Sequence, residues 1–135
     1  MAVILVVDDE KDTVALLRYM LEKEGHQVLE ALDGESALKV VGLDPAGGED
    51  EAPPALPDLI LLDVMMPKMD GYSVYSRLQQ SARTQSIPVV ILTAKGGMGE
   101  LFDAAPGVTA FLEKPFEPQF LMKHVRDVAA KKPAP

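Results

Sequence analysis

Asp63 ends the apolar run Leu59-Ile60-Leu61-Leu62 and opens the stretch Asp63-Val64-Met65-Met66-Pro67-Lys68-Met69-Asp70-Gly71. A buried strand that ends in a carboxylate and then turns sharply through Pro and Gly sets that acid on the rim of a sheet. A second apolar run, Val3–Val7, ends the same way in Asp8-Asp9. Crowded carboxylates repel one another unless a proton or a cation relieves them. The combination points to a divalent metal held beside an acidic nucleophile.

These acids need a scaffold that brings distant segments to one edge. Apolar runs rich in Val, Ile and Leu alternate along the chain with segments of helical period. Strands are expected at Val3–Val7, Gln27–Ala31, 59–62, 87–92 and 108–112. Between them, 11–24 reads as a helix with Val14, Leu17 and Leu21 on one stripe and Gly25 as its stop. Shorter helices are expected over 35–41, with Ala37, Leu38 and Val41 inward, over 72–80, with Val74 and Leu78 inward, and over 100–105. Pro118 suits a first helical position, and Phe120, Leu121, Val125 and Val128 are expected to form the inward stripe of the last helix. Strands apolar on both faces and separated by helices mean a parallel sheet covered on both sides, a doubly wound α/β fold. In such sheets ligands sit outside the carboxyl ends of the strands. Asp9, Asp63, Thr93 and Lys114 each fall just after or at the end of an expected strand, so the architecture predicts that they converge.

Composition narrows the remaining possibilities. A length of 135 residues with 47% hydrophobic and 25% charged residues describes one globular domain, expected over 1–130 with 131–135 as a tail or linker stub. A net charge of −8 argues against sequence-independent binding to nucleic acid or to an anionic membrane surface. The chain has no Cys, which removes disulfides, thiolate metal sites and Cys nucleophiles, and His26 and His124 lack any zinc-ligand spacing. No apolar stretch approaches the ~20 residues of a membrane helix, and the lack of an export signal favours the cytoplasm. The segment 42–57 is rich in Pro, Gly and acids. It is expected as a mobile surface loop between the second helix and the third strand, on the face opposite the acidic cluster.

Four pieces of the chain, in order, carry a family resemblance: Val6-Val7-Asp8-Asp9-Glu10; Asp63 to Gly71 as quoted above; Ile91-Leu92-Thr93-Ala94-Lys95; and Phe111-Leu112-Glu113-Lys114-Pro115-Phe116. Together they resemble the response-regulator receiver domain of bacterial two-component signalling. The resemblance implies a flavodoxin-like sheet of strand order 2-1-3-4-5 and a phosphoryl acceptor at Asp63. It implies Mg²⁺ bound by Asp9 and Asp63, with Asp8 in an outer or water-mediated role and the backbone carbonyl of Met65 as a further ligand. Hard oxygen donors suit that ion, which keeps several waters and takes few protein carboxylates. Lys114, before an expected cis Pro115, is implied to pair with Asp63 and then with the phosphoryl group. Thr93 is implied to donate to a phosphoryl oxygen, and Phe111 to be the aromatic that swings inward when Thr93 moves. The implied partners are a histidine kinase or phosphotransfer protein and a downstream protein that docks on the fourth helix, fifth strand and fifth helix.

Each acid also has a bland reading. Asp63 alone reads as the cap of a turn, Asp8-Asp9-Glu10 as an acidic helix N-terminus, and Thr93 as a helix N-cap. None of these explains the register of Asp8, Asp9, Asp63, Thr93 and Lys114. Two other functions compete with the phosphorylated signalling module. One is a Mg²⁺-dependent phosphohydrolase with an aspartyl nucleophile, which usually needs a second acid where Met65 stands and a cap larger than this chain allows. The other is a pseudo-receiver that only binds protein. Lys95-Gly96-Gly97-Met98-Gly99 is unusually Gly-rich where the fourth helix would begin, and lacks the ending of a P-loop.

Overall fold

The computed structural model describes residues 2–51, 53, 56–66, 68–94, 106–114 and 117–130, with Thr93, Ala94 and Lys114 described by backbone alone. Among the described residues five strands and four helices follow in the order β1 Val3–Val7, α1 Lys11–Lys23, β2 Gln27–Ala31, α2 Gly34–Val40, β3 Leu59–Asp63, α3 Gly71–Gln80, β4 Val89–Ala94, β5 Val108–Lys114 and α4 Pro118–Ala130. All neighbouring strands pair in parallel, in the order β2-β1-β3-β4-β5. The helix expected over 100–105 lies outside the described residues.

Strand side chains alternate between the two faces of the sheet, and two cores follow from that alternation. Leu5, Val7, Ile60, Leu62, Val89 and Ile91 pack against Ala37 and Leu38 of α2 and Val74, Tyr75 and Leu78 of α3. Ile4, Val6, Leu59, Leu61, Val90 and Leu92 pack against Val14, Leu17 and Leu21 of α1 and Leu121, Met122 and Val125 of α4. Burial of a Leu or Ile side chain of this kind contributes about 1.5–3 kcal/mol, which explains why the three central strands carry almost nothing but Val, Ile and Leu.

Several local boundaries depart from the sequence pattern for identifiable reasons. β4 starts at Val89 rather than at residue 87, because Ile87 donates to the Thr84 carbonyl in a turn and Pro88 has no N–H to give the ladder. α2 starts at Gly34, one residue early, because Asp33 caps it by accepting from the Ser36 N–H at 2.7 Å. The inward stripe of α4 is Leu121, Met122 and Val125, with Val128 partly buried, and Phe120 is 65% exposed. Phe120 is one residue out of phase with that stripe, and Met122 takes the place assigned to it. The side chain of Arg18 reaches over the outer edge of β2, where it donates to the Val28 carbonyl at 3.3 Å and pairs with Glu30.

The 42–57 segment is anchored along its first part rather than loose. Arg77 donates to the carbonyls of Asp44, Pro45 and Gly48, and Arg83 to those of Gly42 and Asp50. Ser81 donates to the Glu49 carboxylate, Leu43 pairs with Glu49 as an antiparallel bridge, and Leu43 is fully buried. Its far end returns beside the start of β1, where Asp58 exchanges hydrogen bonds with Val3. The segment therefore lies at the end of the sheet away from Asp8 and Asp63.

His26 sits at that same far end, buried, and accepts the Ala2 N–H on Nδ1 at 3.1 Å. Burial lowers its pKa below the ordinary 6.5, so the native state resists the proton that the unfolded chain takes up. Folding stability contributed by His26 is complete above pH 6.5 and is lost as the pH falls from 6.5 toward the folded value. Urea unfolding at about pH 7.5 and about pH 5.5 is expected to show a larger loss for the native sequence than for His26→Gln. Equal losses in both would show that His26 takes no part.

Candidate functional site

Parity along two strands builds the site. Ile4 and Val6 of β1 pair with Leu59 and Leu61 of β3 and face α1. Asp8 and Asp63 continue those two rows by one further alternate position, so both acids emerge side by side at the carboxyl edge. Oxygens of Asp8, Asp9 and Asp63 lie within 4.8 Å of one another. Asp8 and Asp63 are 0% and 2% exposed, whereas Asp9 faces solvent.

Backbone amides fix the two buried carboxylates. Asp8 accepts the Glu10 N–H at 2.9 Å, and Asp63 accepts the Met65 N–H at 3.0 Å. The acids thus do cap their own turns, as the bland reading expected, and still converge. Glu10, the residue before α1, makes no side-chain cap of its own. The ladder continues just past the acids, through Asp8 N–H to the Ala31 carbonyl and Val64 N–H to that of Leu92. Three carboxylates at this spacing are costly in the absence of a countercharge. They form an all-oxygen donor set open on the Asp9 side, which fits a hard divalent cation.

The turn after Asp63 is closed by Gly71, whose N–H donates to the Val64 carbonyl at 3.1 Å. A β-carbon on Gly71 would stand 2.4 Å from the Asp63 carbonyl oxygen and 2.5 Å from the Val64 Cα. Residue 71 can therefore only be glycine if Asp63 is to keep its place. Asp70 caps α3 through the Ser73 N–H at 2.8 Å. Farther along α3, the buried Tyr75 hydroxyl donates to the Pro106 carbonyl at 2.6 Å, and burial raises the pKa of that phenol. α3 thus runs from the Asp63 turn to the turn that precedes β5.

The other residues singled out in the sequence fall on the same edge or behind it. Thr93 pairs in register with Glu113, and Ala94 with Lys114, at the carboxyl ends of β4 and β5, while Asp63 pairs with Leu92. Met65 stands two residues after Asp63 and is 53% exposed. Phe111 stands beside Ile91 on the outer strand and is 39% exposed. Pro115 lies outside the described residues. The contacts of Gly71 and the backbone of Lys68 were not apparent from the sequence. The pattern Asp-Gly-x-Ser at 33–36 and again at 70–73 was the available signal for two helix starts of one kind.

A family model of the response regulator receiver domain matches residues 4–126, and the chain belongs to that family. The response regulator PleD of Caulobacter vibrioides is 40% identical over 126 residues, which covers 93% of this chain and 25% of its own length. The alkaline phosphatase synthesis transcriptional regulatory protein PhoP of Bacillus subtilis is 40% identical over 129 residues, covering 93% of this chain and 47% of its own. The chain thus spans half or less of these relatives. Among solved structures, the signal receiver domain of a signal transduction histidine kinase from Syntrophus aciditrophicus superposes with a TM-score of 0.80 at 28% identity, over 100% of this chain and 96% of that one. A putative response regulator from Chloroflexus aurantiacus gives 0.78 at 31% identity, over 96% and 98%. The fold expected from the sequence, with strand order 2-1-3-4-5, is the fold observed.

Lys68 is the single non-glycine residue with positive φ among the described residues, at 64°. That region costs an L-residue about 1–2 kcal/mol and is worst for β-branched side chains. Lys68→Val is expected to lower stability by about 1–2 kcal/mol, and Lys68→Gly to leave it unchanged or slightly raised, as read from denaturant midpoints. Equal midpoints for the two variants would show that the turn relaxes to another conformation.

Proposed function

We propose that this domain takes a phosphoryl group onto Asp63 and that the adduct switches a protein-binding surface. The observation that carries this reading is the convergence of Asp8, Asp9 and Asp63 at the ends of two paired strands. A carboxylate oxygen of Asp63 attacks phosphorus of the donor, an acyl phosphate or the phosphohistidine of a kinase or phosphotransfer protein. A P–O bond forms, the bond from phosphorus to the donor breaks, and the donor leaves with its electron pair. Water later attacks the same phosphorus and returns Asp63 as a carboxylate. Mg²⁺, held by Asp9, Asp63 and the Met65 carbonyl with Asp8 behind, would neutralise charge on the phosphoryl oxygens. Lys114 supplies a further positive charge there, and the Thr93 hydroxyl supplies a donor.

Output follows from population shift. A phosphoryl group that draws Thr93 inward makes room for Phe111, whose partial exposure in this structure suits the unswitched conformer. The face altered comprises β5, α4 and the helix expected over 100–105, and its occupant is a downstream protein. The chemistry is performed on the domain itself, consistent with relatives named as regulators. A residue two places after Asp63 that is Met rather than an acid disfavours a phosphohydrolase. No helix among the described residues is long and apolar enough to cross a membrane. With the net charge of −8, this suits a domain that works in the cytoplasm with protein partners rather than nucleic acid.

Incubation with acetyl phosphate and Mg²⁺ is expected to add one phosphoryl group, mapped to Asp63 by mass spectrometry. Asp63→Asn is expected to fold, to be more stable without metal because one repulsive charge is gone, and to take up none. Normal labelling of that variant would move the acceptor elsewhere. Turnover of many phosphate esters would favour the hydrolase, and no labelling of the native chain would favour the pseudo-receiver. Lys114→Ala is expected to keep Mg²⁺ binding, followed by tyrosine fluorescence or calorimetry, while the gain in partner affinity on phosphorylation falls. An undiminished gain would remove Lys114 from the switch.

A further inference from the structure

The loop between β3 and α3 is braced from a side that the acidic cluster does not explain. α2 begins Asp33-Gly34-Glu35-Ser36, and Gly34 is buried in its first turn. A β-carbon on Gly34 would lie 2.8 Å from the Met69 carbonyl oxygen and 2.9 Å from Met69 Cβ and Cγ. Those distances are well inside the optimal separation of non-bonded atoms. The backbone of Gly34 is not in the left-handed region, and alanine would favour the helix itself. Glycine is therefore required here by its neighbour and not by its own conformation. The charge of Lys68 adds an electrostatic attraction between the same two segments. Hydrogen bonds from Ser36 hold the Asp33 carboxyl below its ordinary range, and the charge of Lys68 adds to that effect.

The same loop is anchored at Asp63. At its other end Gly71 is closed against the Asp63 carbonyl and Val64, and Met69 itself packs on the core beneath α2 and α3. We propose that Gly34 is a positioning residue for phosphoryl uptake: by letting Met69 lie against α2, it sets where the 64–70 loop holds the Met65 backbone against Asp63. This inference rests on Asp63 being the acceptor. Its role differs from that of a glycine that merely permits folding, because Ala at 34 would displace the loop while helping the helix.

The test compares Gly34→Ala, Met69→Ala and a control, Gly25→Ala, in the full chain. Gly25 has φ +88° and nothing within 4 Å of a β-carbon, so its substitution strains the fold at a distance from the site. Labelling by acetyl phosphate is followed by intact mass over a range of Mg²⁺ concentration. Gly34→Ala is expected to slow maximal labelling by about tenfold or more, since small misplacements of reacting groups are heavily penalised, and to raise the Mg²⁺ concentration at half-maximal rate. Met69→Ala, which loosens the contact instead of crowding it, shifts both in the same direction and keeps the test open if Gly34→Ala fails to fold. Gly25→Ala melts at a lower temperature and labels like the native chain. Native rates and Mg²⁺ dependence in both loop variants would overturn the inference, as would an equal slowing in the control. Failure of the native chain to label would instead overturn the acceptor reading, and this inference with it.

Discussion

Two buried carboxylates held in adjacent rows of a parallel sheet are the constraint around which the domain is organised. Asp8 and Asp63 do not meet through any attraction of their own. They meet because Ile4 and Val6 are locked beside Leu59 and Leu61, and the pairing of β1 with β3 carries the alternation onward to the acids. The repulsion between them is sustained by apolar packing on both faces of the sheet and moderated in part by backbone amides, that of Glu10 for Asp8 and that of Met65 for Asp63. A site of this kind stores a standing demand for positive charge.

The parts that shape the site are small residues and backbone groups rather than further charges. The amides of Glu10 and Met65 orient the carboxylates. Gly71 and Gly34 matter for the atoms they lack. α3 then links the Asp63 turn to Pro106 through the Tyr75 hydroxyl, so one helix connects the acidic edge with the turn leading into β5. The acidic edge is joined to the outer strand twice, across the β3–β4–β5 ladder and along α3.

Much of this was legible in the amino-acid order. Runs such as Leu59-Ile60-Leu61-Leu62, short and bounded by Asp58 and Asp63, read as strands covered on both faces, and the alternation with helical stripes then points to a parallel sheet. The acids that end two of those runs followed directly, and the family resemblance supplied the strand order. Phe120 was misplaced because a helical stripe drawn through Phe120, Leu121, Val125 and Val128 is blind to a one-residue phase error when Met122 is equally apolar. The start of β4 was misjudged because Ile87 is as hydrophobic in a turn as in a strand. Gly34 and Gly71 were silent for a different reason: a glycine required by a neighbour looks the same in sequence as one required by a turn.

The anchoring of residues 42–50 has a consequence of another kind. Arg77 and Arg83 hold that segment mainly by main-chain oxygens of Gly42, Asp44, Pro45, Gly48 and Asp50, with the Glu49 carboxylate 3.8 Å from Arg83, and every amino acid carries a main-chain oxygen. Those main-chain contacts place little demand on side chains at 44–46, while the two guanidinium forks are not matched by lysine. Among descendants of this chain positions 44–46 would be free to drift in composition at nearly constant length, with the arginines, buried Leu43 and the positive-φ Gly42, Gly47 and Gly48 as fixed points. A short epitope or fluorophore site grafted onto the side chains of 44–46 would ride on a rigid mount, remote from Asp63.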